Sequence, residues 1–81
     1  MEISYSKDAR RALLKSNKCE LLIQKIELFA RSPDALQNNV KQLPGRDEMR
    51  LRVQNWRALF LIYDGVMIIR EINPRSAAYE D

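Results

Sequence analysis

MRLRVQNWRALFLIYDGVMIIREI, residues 49–72, alternates apolar and polar side chains with a period of two and breaks at two short polar pairs. Met49, Leu51 and Val53 fall on one side of an extended chain and Arg50 and Arg52 on the other, the pattern of a strand with one buried face. Gln54 and Asn55 form the first turn. Trp56 to Tyr63 is rich in aromatic and branched residues, with Arg57 near its start, and Asp64-Gly65 is the pair expected in a two-residue hairpin turn. Val66 to Ile72 returns as the last strand, stopped by Asn73 and Pro74. Three hairpin-linked strands therefore fill the second half of the chain, with Ala58 and Phe60 directed to the core and Trp56 read as joining them in preference to serving as an exposed stacking platform.

Upstream, Leu43-Pro44-Gly45-Arg46 reads as a tight turn at which the period changes from 3.6 to 2, and residues 37–42 read as a polar connector. Ser32-Pro33-Asp34 is a turn or the cap of another short helical turn. Before it, Cys19, Leu22, Ile23, Ile26, Phe29 and Ala30 repeat at helical spacing. They predict an amphipathic helix over 18–31 with Asn17 as N-cap and Glu20 as its capping-box partner. Cys19 lies on the apolar stripe as a small core residue. Lys7 to Lys15 predicts a first helix, capped by Ser6 and ended by Ser16 and Asn17. So short a break implies an antiparallel helix pair. Glu2 to Tyr5 alternates and predicts a brief first strand. The order strand, helix, helix, three strands is that of an α+β domain with the helix pair on one face of a mainly antiparallel sheet.

With 81 residues, only one small domain, 1–81, is expected. The absence of histidine and the single cysteine exclude a His/Cys zinc set, a Cys-His pair and a Ser-His-Asp triad. Any catalysis must run on Arg, Lys, Tyr, Asp, Glu or Ser. Neither a signal peptide nor an apolar run long enough to span a membrane is seen, so a soluble, cytoplasmic protein is expected. The net charge of +3 does not by itself point to nucleic acid. Its distribution says more: Lys41, Arg46, Arg50, Arg52 and Arg57 face only Asp47 and Glu48 over that stretch. Arginine grips phosphate in a bidentate fork.

The segment KQLPGRDEMRLRVQNWRALFLIYDGVMIIREINPRSAAYED combines a K-x-L-x-G turn, an R-L-R-V strand, a W-R pair, a D-G hairpin and an R-x-x-x-Y ending. In this order and at these spacings it resembles the RelE/ParE superfamily of bacterial type II toxins, and in particular its ribosome-dependent, mRNA-cleaving RelE branch. The match covers Lys41 to Tyr79; the first half agrees in element order. The resemblance implies a β-α-α-β-β-β fold, cleavage of mRNA in the ribosomal A site, no metal or cofactor, and neutralisation by a co-encoded antitoxin. It further implies contact with operator DNA only through the antitoxin complex, and no membrane partner. By position, Arg57 corresponds to the strand arginine at the reacting phosphate, Arg75 to the arginine of the C-terminal segment, and Tyr79 to the C-terminal tyrosine. Lys41, Arg46, Arg50 and Arg52 are the implied RNA-binding set. Arg50 and Arg52 depart from the family in standing where two lysines are common.

The implied reaction is attack of an RNA 2′-OH on its own 3′ phosphodiester, leaving a 2′,3′-cyclic phosphate, or its 3′-phosphate product, and a 5′-OH. It needs a proton acceptor, a proton donor and positive charge on the phosphorane. Arginines meet the last need and are poor bases, so Arg50 and Arg52 are expected to clamp phosphates. Tyr79 is the candidate base if the arginines lower its ordinary value near 10, and otherwise a stacking platform. Glu48 and Glu71 are fallback acceptors, and Glu48 serves equally to offset neighbouring charge. Leu59 and Leu61 share the strand side of Arg57. They suit either a partner surface or a small core closed under the C-terminal tail. Two other functions fit less of the pattern: a ParE-like toxin that inhibits DNA gyrase without catalysis, and a plain RNA- or DNA-binding module.

Overall fold

The computed structural model describes residues 1–74. In chain order these form β1 (Glu2–Tyr5), α1 (Lys7–Lys15), α2 (Cys19–Arg31), a 3-10 helix (Pro33–Asn39), β2 (Val40–Gln42), β3 (Met49–Val53), β4 (Trp56–Tyr63) and β5 (Val66–Pro74). The five strands make one sheet in the order β1-β5-β4-β3-β2. Only β1 against β5 is parallel; the other three pairings are antiparallel. Both α-helices lie on one face, α1 chiefly against β5 and α2 against β3 and the 3-10 helix. Among the described residues no helix is long and apolar enough to cross a membrane.

The α+β reading and the expected strands 2–5, 49–53 and 56–63 hold. The polar connector does not, because residues 37–39 complete the 3-10 helix and residues 40–42 add β2 as an edge strand against β3. Three residues are too few to show a period, and this pairing is what makes them a strand. β5 also runs two residues past the expected stop, since Asn73 and Pro74 pair with Arg57 and Trp56. Proline is tolerated at such a strand end.

The core lies between the helices and the sheet. Leu22, Ile26 and Phe29 of α2 meet Leu51 and Val53 of β3, Ala58 and Phe60 of β4, and Met67, Ile69 and Ile72 of β5. Phe29 and Phe60 pack at a tilt of 60° with ring centroids 5.1 Å apart, close to the favoured aromatic arrangement. Trp56 and Cys19 pack against this cluster, as their spacing predicts.

Turns follow the local chemistry. Pro44 and Gly45 occupy the centre of a turn closed by Arg46 N–H donating to the Leu43 carbonyl at 3.3 Å; Gly45 has φ +69°, a conformation an L side chain resists. Asp64 and Gly65 both take positive φ in the β4–β5 hairpin. The expected Asn17 cap is not formed. Helix α2 begins at Cys19 with Lys18 at the cap position and no side-chain cap bond. Buried Ser16 holds the junction instead, its Oγ accepting from Lys18 N–H at 2.9 Å.

Ser6 does more than cap α1. Its Oγ accepts from Ala9 N–H at 3.0 Å and donates to the Arg70 carbonyl at 2.7 Å, while its own N–H donates to Ile69 O at 2.9 Å. Arg70 is the extra residue of a bulge in β5, between the pairs Phe60–Ile69 and Leu59–Glu71. Ser6→Ala is therefore expected to cost about 1–2 kcal/mol, the upper part of the cap range, since a bulge carbonyl loses its donor as well. An unchanged midpoint in urea unfolding would count against this junction.

Tyr5, half-buried on β1, has its phenol pushed above 10.0 by burial, and further by Glu27 and Cys19. The folded chain holds that proton more tightly than the unfolded one. The stabilisation is complete below pH 10 and is lost as pH rises through the folded value. Unfolding followed by circular dichroism should show this alkaline decline, and Tyr5→Phe should remove the part due to this phenol.

Candidate nucleic-acid interface

The sheet face away from the helices carries the cationic residues, and strand register shows how they are brought together. Residues directly opposite one another point to the same side. Lys41 on β2 stands opposite Arg50, Arg50 opposite Leu59, and Leu59 opposite Glu71. In the next row Arg52 stands opposite Arg57, and Arg57 opposite Asn73. The sequence places Arg50 and Arg52 on one side of their strand; pairing adds Lys41 and Arg57 from two other strands.

This face is packed rather than left open to solvent. Arg57 is only 5% exposed, Arg50 6% and Leu59 1%, although all three point away from the helices. The Nε atoms of Arg50, Arg52 and Arg57 are shielded from solvent. Leu43 and Leu59 are buried outside the main core cluster. Leu59 is thus a buried residue of this face, whereas Leu61 is half-buried.

The loop between β2 and β3 reaches across the face. Arg46 Nη2 lies 2.6 Å from Glu48 Oε1 and 3.7 Å from Glu71 Oε2. Because β4 separates β3 from β5, the Arg46–Glu71 contact passes over β4 on the side of Leu59. Glu71 Oε1 also accepts from Asn73 Nδ2 at 3.2 Å. Arg46 is therefore engaged with two carboxylates at the edge of the arginine rows, and Glu48 offsets its charge. Lys41 is exposed beside Arg50. β5 ends at Pro74, one residue past the Arg57–Asn73 pair. Arg75 and Tyr79, the other two expected catalytic residues, lie outside the described residues. Among the described residues no group of three or more His, Cys, Asp or Glu side chains is placed to hold a metal ion.

Two arginines directly opposite one another oppose folding by a fraction of a kcal/mol, about 0.2–1 by analogy with other cross-strand pairs. Withdrawing guanidinium groups from water adds a desolvation penalty. Register and packing thus fix positive charge at set positions on this face. Guanidinium forks suit phosphate oxygens in particular.

Sequence reasoning did not find three further polar residues that gather beside Arg52 at the end of β3. Lys25 on α2, Asn39 at the end of the 3-10 helix and Gln54 in the β3–β4 turn join Arg52 around a cavity of about 340 Å³. They are far apart in the chain, so no local pattern signals their meeting.

The fold is that of RelE toxins. An archaeal RelE–RelB complex from Pyrococcus horikoshii OT3 contains a chain that is 21% identical, with a TM-score of 0.76 over 95% of this chain and 97% of that one. The isolated RelE toxin of E. coli superposes with a TM-score of 0.71 at 17% identity, covering 95% of this chain and 86% of that one. YafQ from E. coli strain BL21(DE3) gives 0.69 at 13% identity, with 94% of each chain covered. No protein-family model and no curated protein matches the chain.

Proposed function

We propose that this chain, which has the RelE fold, is the toxin of a type II toxin–antitoxin pair and a metal-independent endoribonuclease that cuts mRNA on the ribosome. The observation that carries the proposal is the pair of nearly solvent-excluded arginines, Arg50 and Arg57, on the sheet face opposite the helices, with Arg52 beside Arg57. A surface built only to bind RNA backbone works with solvated lysines and arginines. Burying the guanidinium groups is useful where charge develops during a reaction, because fixed donors then favour the phosphorane over the ground state.

In this mechanism Arg57 supports the reacting phosphate, while Arg50, Arg52 and Lys41 hold flanking phosphates. Arg46, tied to Glu48 and Glu71, joins them as an RNA contact. Arg75 contributes the second charge on the phosphorane. Tyr79 takes the 2′-OH proton or stacks on a base. The 2′ oxygen bonds to phosphorus, the bond to the 5′ oxygen breaks, and that oxygen takes a proton from solvent water to leave as the 5′-OH.

Solved RelE–RelB complexes among the similar structures support a cognate antitoxin as partner. They and the RelE and YafQ toxins favour this reading over gyrase inhibition. Ribosome and mRNA are the proposed targets, operator DNA is reached only through the antitoxin, and the proposed site of action is the cytoplasm. Primer extension on an mRNA under translation in a reconstituted system tests the reading. New 5′ ends at A-site codons that require ribosomes are expected. Intact mRNA with arrested growth would move the next assay to gyrase supercoiling.

A further inference from the structure

The cavity at the β3–β4 turn differs from the sheet face that it adjoins. Its floor is apolar, formed by Leu21, Leu36 and Val53, and its rim carries two cations, Lys25 and Arg52, and two amides, Asn39 and Gln54. None of the described residues that line it is acidic. Lys25 is half-buried on α2 and Arg52 half-buried on β3, so both stems are partly held by packing. At about 340 Å³ the space falls at the lower end of small-molecule sites, roughly 300–1,000 Å³.

Apolar floor, amide rim and paired cations together match one kind of ligand: a flat heteroaromatic base joined to a phosphate. The base covers Leu36 and Val53, the amides of Asn39 and Gln54 offer donors and acceptors to its edge, and Lys25 with Arg52 holds the phosphate. Arg52 belongs to both places, since it also stands opposite Arg57 on the sheet face. The cavity and the arginine rows therefore share one residue, Arg52, and meet at the end of β3.

We infer that the Lys25–Arg52 cavity is a nucleotide subsite, taking one base and its phosphate from an RNA strand that extends beyond the arginine rows. The inference rests on the proposed RNA-directed function and adds a site to it. The nucleotide can come from the substrate strand or from the structural RNA of the ribosome, and the chemistry of recognition is the same for both.

Binding by wild type, Lys25→Glu and Lys25→Arg should be measured with a short 2′-O-methylated oligonucleotide, which cannot be cleaved, and separately with mRNA-free ribosomes, across a salt series. The expected result is a roughly 10-fold loss of oligonucleotide affinity in Lys25→Glu and a salt slope smaller by about 0.7, the loss of one single-strand phosphate contact, with both restored in Lys25→Arg. That result assigns the subsite to the substrate strand. A loss confined to mRNA-free ribosomes assigns it to structural RNA and equally retains the inference. Unchanged affinity and slope on both probes overturn it. Failure of the nuclease reading is separately visible: wild type would then bind through Lys25 but cut no mRNA.

Discussion

Arg57→Ala is expected to slow mRNA cleavage on the ribosome by about 10²–10³-fold, the usual loss when one fixed donor to a developing oxyanion is removed. The sequence alone suggests that such a change leaves stability untouched, as for an exposed strand arginine. The structure revises this, because Arg57 is only 5% exposed and its stem is part of the packed face. Truncation removes buried methylenes worth about 0.8 kcal/mol each and relieves a like-charge contact with Arg52 worth at most about 1. A net destabilisation of about 1 kcal/mol is expected. Arg57→Gln, which keeps more of the stem, should lose cleavage to a similar degree with less effect on the urea midpoint. Single-turnover primer extension and urea unfolding on the same preparations separate the two effects. Undiminished cleavage in either folded variant would remove Arg57 from the mechanism.

Phe60→Ala should have the largest effect on stability. Phe60 has no exposure, packs against Phe29, and lies where β4 meets both β3 and β5. Removing such a side chain costs about 3–5 kcal/mol through lost transfer energy and the cavity left behind. A core in a chain this short supplies roughly the same amount. The variant is thus expected to lose its cooperative urea transition near neutral pH, while Phe60→Leu keeps it at a lower midpoint. A cooperative transition near the wild-type midpoint in Phe60→Ala would place the centre of the core elsewhere.

Much of the fold was legible because period and turn chemistry are local. Met49, Leu51 and Val53 show their buried side by alternation, and Asp64-Gly65 marks its hairpin through the positive φ that both residues take. The β5 bulge left no readable trace, because Val66, Met67, Ile68 and Ile69 are all apolar and show no alternation for it to break. Its stabilisation by Ser6 leaves none either, because the Arg70 carbonyl is 64 residues away in the chain. The Asn17 capping box failed for a different, local reason. Several polar residues near a helix start can cap it, and here buried Ser16 is the one that holds the turn.

The sequence by itself determined the α+β class, the main strands and helices, and the common side of Arg50 and Arg52, because each follows from the spacing of neighbouring side chains. Only the tertiary structure decided that Arg52 meets Arg57, that Arg50 and Arg57 are withdrawn from water, and that Arg46 crosses β4 to Glu71. It also brought Lys25, Asn39 and Gln54 to the same cavity as Arg52. Those features depend on which strands pair and on what folds over the sheet. Their energies lie between residues far apart in the chain, where hydrophobic periodicity carries no information.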